Sequence, residues 1–260
     1  MRCAAVLIAV MVAFSMTLPV QAASKKTVYV CTKIKHVEYD DEDGDIDATA
    51  KYTYMANGLL KSLKMSVMSG IATGKYKYTY GKKSRIKKQR YTTYFFGEKV
   101  GSGSAKYVYT KKGYLKKHTS YNKNGKKTGA TKLKRNKKGY VTKAKDYNAK
   151  GKVKETRKYT LDANGDVLKK RVYNAKGKLK ETENYTHTAN QCTIQTYNAK
   201  GKLTTTRVEK YAHGDIVSAT EYDETKGHKK TGHTKYWYKK VTTKKHSAVK
   251  KQQQDLGEFL

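Results

Sequence analysis

One hexapeptide, Tyr-Asn-Ala-Lys-Gly-Lys, occurs three times in this chain and constrains the fold more than any other feature. Its copies occupy residues 147–152, 173–178 and 197–202, and a near copy, Tyr-Asn-Lys-Asn-Gly-Lys, occupies 121–126. The copies start 26, 26 and 24 residues apart. Asparagine followed three residues later by glycine is typical of a type I turn with a glycine bulge, which joins two antiparallel strands. The spacing therefore predicts a series of β-hairpins.

A second series of turn glycines alternates with these copies: Gly113 precedes the first copy, and Gly139 and Gly165 fall between later ones. Each 26-residue unit then contains two turns and two strands. Alternate residues of the connecting runs point to opposite faces, and neither face is fully apolar. We predict an all-β protein: an elongated, twisted antiparallel β-meander built of tandem hairpin repeats, with partial coiling left open. Aromatic packing or stacking across strands is expected from Tyr121, Tyr147, Tyr159, Tyr173, Tyr185, Tyr197 and Tyr211.

Composition along the chain predicts four segments. Residues 1–22 have Arg2, an apolar run and a small-residue cleavage site, the pattern of a secretory signal peptide. Residues 23–112 are predicted to form irregular hairpin repeats, 113–238 regular 26-residue hairpin repeats, and 239–260 a basic and polar tail. We expect bacterial export, a secreted or cell-surface location, and no transmembrane span in the mature chain.

The repeated element resembles the YD (RHS) repeats of secreted bacterial proteins and is also similar to MORN-variant hairpin repeats. The residues that carry the resemblance are Tyr121 and Gly125; Tyr147, Gly151 and Val153; Tyr173, Gly177 and Leu179; and Tyr197, Gly201 and Leu203. The resemblance implies tandem hairpins and no particular function. In the best copies asparagine stands where that family has aspartate, and lysine fills the variable positions.

Basic residues exceed acidic ones by a wide margin: 57 Lys and Arg against 21 Asp and Glu, a net charge of +36. Every second turn of a meander falls on the same edge of the sheet, so the lysines that flank the turn glycines are expected to form a row along that edge with steps of roughly 10 Å. These are Lys126, Lys127, Lys150, Lys152, Lys176, Lys178, Lys200 and Lys202. Such a row suits an anionic polymer of a cell envelope or host surface, bound through counterion release. Protection of an exposed sheet edge against aggregation is the alternative explanation.

Other functional classes have weaker support in the sequence. A structural or adhesive repeat protein that binds another protein through its sheet face or edge is the second hypothesis. Nucleic acid is not an expected partner, because an exported protein rarely meets it. The seven histidines are scattered, and no zinc spacing, phosphate-binding glycine loop or nucleophile motif is present. We therefore expect no enzyme activity and no cofactor.

Two smaller features concern metal binding and disulfide formation. Asp41, Asp43 and Asp45 resemble the middle of a calcium loop, but Tyr39 and Ala50 stand where ligands are needed, so a charged turn fits better. Cys31 and Cys192 form an even pair in an exported chain, which favours a disulfide. In an open sheet about twelve strands at ~4.8 Å separate them, far beyond bridging distance. The disulfide is left open, since a bridge would require the sheet to close or fold back.

Overall fold

The computed structural model describes residues 27–39, 44–212, 214–243 and 245–257, and β-strands dominate this part of the chain. The strands are β1 (Thr27–Glu38), β2 (Ile46–Tyr54), β3 (Leu60–Val67), β4 (Ala72–Tyr80), β5 (Ile86–Phe95), β6 (Glu98–Tyr109), β7 (Leu115–Asn122), β8 (Lys127–Arg135), β9 (Val141–Asn148), β10 (Val153–Leu161), β11 (Val167–Asn174), β12 (Leu179–His187), β13 (Gln191–Asn198), β14 (Leu203–Ala212), β15 (Asp215–Asp223) and β16 (Lys229–Thr242). Short 3₁₀ turns occupy Met68–Gly70, Lys82–Ser84 and Glu224–Lys226, and helix α1 spans His246–Gly257.

The strands form a closed β-barrel of sixteen strands. Each strand pairs with its neighbours in the chain, and β16 pairs with β1 in antiparallel register from Thr27 opposite Thr242 to Glu38 opposite Gly232. The all-β prediction is confirmed. The predicted elongated, open meander is wrong, because its first and last strands join.

The resemblance to YD and MORN-variant repeats is wrong for the same reason, since both imply open tandem hairpins and this sheet closes. The hexapeptide repeats in the sequence, but the chain is not an open tandem-repeat protein. Turn chemistry specifies which neighbouring strands pair. It carries no information on whether the two end strands meet, and closure satisfies the backbone groups that two open edges would leave unpaired.

The described residues pack as two compact units, one formed by those within 1–104, 211–219 and 232–260 and the other by those within 105–210 and 220–231. The first unit contains an apolar core of Val28, Val30, Leu59 and Val249, each at most 2% exposed. Partly buried side chains, Tyr54, Met55, Tyr80, Val241 and Ala248, pack against this core. Among the described residues, most of the fully buried aliphatic side chains lie in this unit rather than in the regular repeats.

Helix α1 docks on the core of the first unit through Ala248, Val249 and two glutamines. Val249 is fully buried, and the amide of Leu60 donates to Oε1 of Gln252 at 3.0 Å. Nε2 of Gln253 donates to the carbonyl of Tyr29 at 2.7 Å. Residues 239–260 were expected to be a tail. Their described part instead includes the end of β16 and a packed helix, and hydrogen bonds of two glutamines hold this helix in place. No helix in the described ranges is long and apolar enough to cross a membrane.

The predicted signal peptide and most of the candidate calcium turn lie outside the part of the chain that the structure describes. The signal peptide at 1–22 and Asp41 and Asp43 lie outside the described residues, whereas Asp45 is exposed. Among the described residues no group of three or more His, Cys, Asp or Glu is placed to hold a metal ion. Cys31 and Cys192 are buried free thiols, and burial raises the pKa of each to about 12. The predicted separation of the two cysteines assumed an open sheet, so it does not apply to the closed barrel.

Candidate functional site

The four hexapeptide turns of the second unit share one backbone conformation. They begin at Asn122, Asn148, Asn174 and Asn198. In each, the glycine amide donates to the asparagine carbonyl at 3.0 Å, and the asparagine amide donates to the carbonyl of the lysine after the glycine at 2.9–3.0 Å. The asparagine Oδ1 also accepts from the amide of that lysine at 3.0–3.1 Å. The glycines have φ of 74–79°, a region that favours glycine, so the predicted bulged turn is confirmed.

These turns present the predicted lysines to solvent. Seven of the eight are exposed, and Lys127 is half-buried. The turns join β7 to β8, β9 to β10, β11 to β12 and β13 to β14, so all four lie at the same end of consecutive antiparallel strands. The structure thus places the lysines at strand ends, whereas the prediction placed them at a sheet edge. We call this set the turn lysines; none of them forms an ion pair within the part of the chain that the structure describes.

The turns at the opposite strand end are covered by aromatic rings. A Cβ on Gly139 would lie 2.6 Å from the ring of Tyr114, and a Cβ on Gly165 would lie 2.4 Å from the ring of Tyr140. Nη1 of Arg135 donates to the carbonyl of Gly139 at 2.8 Å. By contrast, a Cβ on any of the four hexapeptide glycines would meet nothing within 4 Å. The hexapeptide end is therefore the open one.

A second group of cations lies on one face of strands β8–β11. Lys134 is directly opposite Lys143, Lys143 is opposite Lys158, and Lys158 is opposite Arg171. We call these four residues the cation ladder and this side of the strands the cationic face. Lys145 lies on the same face and holds the pKa of Lys143 below its usual value, with slight burial, Lys158 and Lys134 adding to the effect. Like charges opposite each other destabilise a sheet, so other interactions in the fold must offset the repulsion among these cations.

In three of the four hexapeptides, a lysine ammonium group from the preceding strand lies over the tyrosine ring. The ammonium of Lys132 lies 5.0 Å from the ring centroid of Tyr147, and that of Lys158 lies 4.7 Å from Tyr173. Lys106 and Tyr121 form the same contact at 5.3 Å. These are cation–π distances. Each lysine precedes its tyrosine by fifteen residues. That constant offset was available in the sequence and was overlooked.

The opposite face of the same strands carries ion pairs instead. Nη2 of Arg157 lies 2.8 Å from Oδ2 of Asp146, and Nζ of Lys170 lies 2.7 Å from Oε1 of Glu183. On β14, Nε of Arg207 lies 2.9 Å from Oε1 of Glu209. Arg207 also pairs with Glu221 on β15. The register puts every acidic residue of β7–β12 on this side, namely Asp146, Glu155, Glu181 and Glu183. We call it the paired face.

Burial shifts the protonation equilibria of the paired face. Desolvation lowers the pKa of His118 to about 4, partly offset by the charge of Asp146. Burial raises the pKa of Glu181, and the neighbouring carboxylate of Glu183 raises it further. The hydroxyl of Tyr185 donates to Glu183. Each charge here has an opposite charge or a hydrogen-bond partner close by, which is the usual condition for a half-buried ionic group.

The predicted tyrosines divide between the two faces. Tyr121, Tyr147, Tyr173 and Tyr197 share the cationic face, whereas Tyr159 and Tyr185 are on the paired face. Tyr211 belongs to the first unit. Tyr197 has no lysine in the position that Lys158 takes over Tyr173. Lys158 lies two residues beyond Thr156, the direct partner of Tyr173, and the equivalent residue of β12, two beyond Thr182, is Asn184. The hydroxyl of Tyr197 donates to Oε1 of Gln195 at 3.2 Å instead.

No family model matches this chain, and no curated protein matches it. Among solved structures, the chain is similar to a porin-like protein from Bacteroides uniformis, at 12% identity and a TM-score of 0.38, over 80% of this chain and 98% of that chain. It is similar to a protein of unknown function from Bacteroides fragilis at 12% identity and a TM-score of 0.26, over 54% and 92%. A domain from Vibrio parahaemolyticus, described as an outer membrane lipoprotein-sorting protein, has 9% identity and a TM-score of 0.26, over 94% and 97%. Overlaps this low assign no function to this chain.

Proposed function

We propose that this protein is a non-enzymatic, exported protein that binds anionic polymers of a cell envelope or host surface. The observation that carries the proposal is the set of four matching turns, which hold the turn lysines at one strand end with the same backbone geometry. Cations repeated at steps of roughly 10 Å suit a chain-like partner that carries negative charge along its length. Binding of this kind gains free energy from released counterions.

Ring closure supports this proposal against the main alternative use of the lysines. Lysine often protects an open sheet edge from pairing with other chains. Here each strand has a partner on both sides, so the barrel has no edge for the turn lysines to protect. A protein partner that adds a strand at an open edge loses its docking site for the same reason. Solubility alone rarely needs a net charge as large as +36.

Retention on a dextran sulfate column tests the proposal, with uncharged dextran as the reference matrix. We expect the wild-type protein to bind at low salt and to elute as the salt concentration rises, since counterion release makes such binding strongly salt-dependent. A variant with glutamine at Lys150, Lys152, Lys176 and Lys178 is expected to elute at clearly lower salt. Failure of the wild-type protein to bind, or binding that salt does not weaken, would contradict the proposal.

A matched control separates the turn lysines from net charge. Lys111, Lys112, Lys137 and Lys138 lie in the turns at the opposite strand end of the same unit. Replacing these four by glutamine removes the same charge from the other strand end. The control variant is expected to elute close to the wild type. Equal loss in both variants would mean that binding follows net charge and not the turn lysines.

A further inference from the structure

The cation ladder has a charge spacing that differs from that of the turn lysines. Its four members follow each other on adjacent strands, so they recur at about 4.8 Å, whereas the turns recur at about twice that distance. We propose that the ladder is a second binding row for the same polymer, and that it selects linear glycans whose sulfate or phosphate groups recur at short intervals. This inference rests on the proposed function and names its ligand class.

The distribution of acidic residues supports a bound anion on this face. Strands β9, β10 and β12 contain carboxylates, yet all of them lie on the paired face. The members of the ladder form no ion pair within the described ranges. Lys143 has a cation opposite it on both neighbouring strands and Lys145 two residues along its own strand. An external oxyanion would offset this repulsion, and no carboxylate in the described part of the chain pairs with the ladder.

The rings beneath the lysines favour a glycan over a single-stranded nucleic acid. Proteins that bind single strands stack the bases on open aromatic rings. Here the rings of Tyr147 and Tyr173 carry the ammonium groups of Lys132 and Lys158. Those rings hold the cations in place and are not available for stacking. Recognition on this face is therefore by charge and spacing, with cations that are fixed before the ligand arrives.

Binding of defined polymers to ladder variants tests the inference. The double variant Lys143→Gln with Lys158→Gln interrupts the ladder at its centre. We expect its affinity for densely sulfated dextran to fall about tenfold, and the slope of log affinity against log salt to fall by roughly 1.5 for two lost contacts. Affinity for a sparsely charged carboxylated glycan is expected to change much less. Without ligand, the melting temperature of the double variant should stay close to that of the wild type, because the repulsion that is removed offsets the lost contact of Lys158 with the ring of Tyr173.

A control on the same strands keeps the charge change constant. Lys154 lies at a register shift of β10 and has no direct partner on β9, and Lys169 lies on β11 opposite Thr160 and Asn184. The double variant Lys154→Gln with Lys169→Gln therefore loses two charges without interrupting the ladder. Its affinity for densely sulfated dextran is expected to stay within about twofold of the wild type.

The possible outcomes separate this inference from the proposed function. If the turn-lysine variant binds weakly and the ladder variant binds as well as the wild type, the ladder inference is wrong and the proposed function stands. If the wild-type protein binds none of the polymers, both are wrong. If single-stranded DNA of the same charge binds as tightly as the sulfated glycan and depends equally on Lys143 and Lys158, the assignment to glycans is wrong.

Discussion

The two faces of strands β8–β12 differ in whether their charged side chains have partners of opposite charge. On the paired face, Arg157 has Asp146 and Lys170 has Glu183 within 3 Å. On the cationic face, Lys143 and Lys158 face each other, and no carboxylate of β7–β12 is on that side. Since adjacent residues of a strand alternate between these faces, the large net charge is sorted residue by residue and not spread evenly.

Burial explains why the two faces can differ. Side chains of the paired face are half-buried or buried, as for Arg207 at 15% exposure and Glu209 at 6%. A charge at such a site is costly unless it has a partner. The cationic face is in contact with water, where a high dielectric constant and salt weaken repulsion. Cations can therefore accumulate on one face at a modest cost in stability, and they remain available for a ligand.

The largest expected effect comes from removing a cation of the paired face. Arg207→Met leaves the carboxylates of Glu209 and Glu221 without their arginine partner. We expect the free energy of unfolding to fall by about 3 kcal/mol, the usual range for breaking a buried ion pair. Urea denaturation followed by circular dichroism measures this change.

The same substitution on the other face provides the control. Arg171 lies opposite Lys158 on the cationic face and is exposed. Arg171→Met is expected to leave stability unchanged or slightly higher, because it removes a repulsive partner. Equal destabilisation by the two variants would mean that the faces do not differ in the way their charges are held.

Acidification should weaken the paired face through His118. Its pKa is about 4 in the folded protein against an ordinary value of 6.5. The unfolded chain therefore binds a proton first as the pH falls, so stability is lost between about pH 6.5 and pH 4 and the loss levels off below pH 4. The full contribution is about 3 kcal/mol. Melting temperatures of the wild type and of His118→Asn across pH 7 to 4 measure it, since the variant lacks this component. Parallel pH profiles would contradict the assignment.

The sequence predicted the local features of this arrangement and missed those that depend on register. Asparagine and glycine at fixed offsets predicted the turns at Asn148 and Asn174, since turn chemistry is local. Closure of the barrel depends on β1 meeting β16, which lie at opposite ends of the chain, and no turn residue encodes it. Helix α1 was missed because glutamine amides supply much of its docking.

The cation ladder depends on a single register shift that sequence patterns do not reveal. At the start of β10, Val153 pairs with Tyr147, but Glu155 then pairs with Asp146, so Lys154 is the extra residue. Continued without the shift, the first pairing would put Arg157 opposite Lys143. With the shift, Lys158 takes that place. One extra residue thus decides which side chains share a face, because the side-chain period of a strand is two.

A smaller effect is expected from the lysines that rest on tyrosine rings. In a double-mutant cycle, Lys158→Met and Tyr173→Leu should show a coupling of about 0.5–1 kcal/mol, the range for cation–π contacts at exposed sites. Asn184 and Tyr197 are the corresponding diagonal cross-strand pair without a lysine. The cycle Asn184→Leu with Tyr197→Leu should show little coupling. Equal coupling in the two cycles would indicate ordinary packing in place of a cation–π contact.

The smallest expected effect has the opposite sign to the first. Lys143→Gln removes the residue that faces Lys134 on one side and Lys158 on the other. We expect the free energy of unfolding to rise by up to about 0.5 kcal/mol at low salt, and the gain to shrink as salt screens the repulsion. Lys169→Gln, on the same face between Thr160 and Asn184, should not show this salt-dependent gain. A loss of stability on replacing Lys143 would mean that packing of its aliphatic stem outweighs the repulsion. The cationic face would then itself contribute to the stability of the sheet. A gain would mean that this lysine is kept at the expense of stability, which is the pattern expected where a side chain serves binding and not folding.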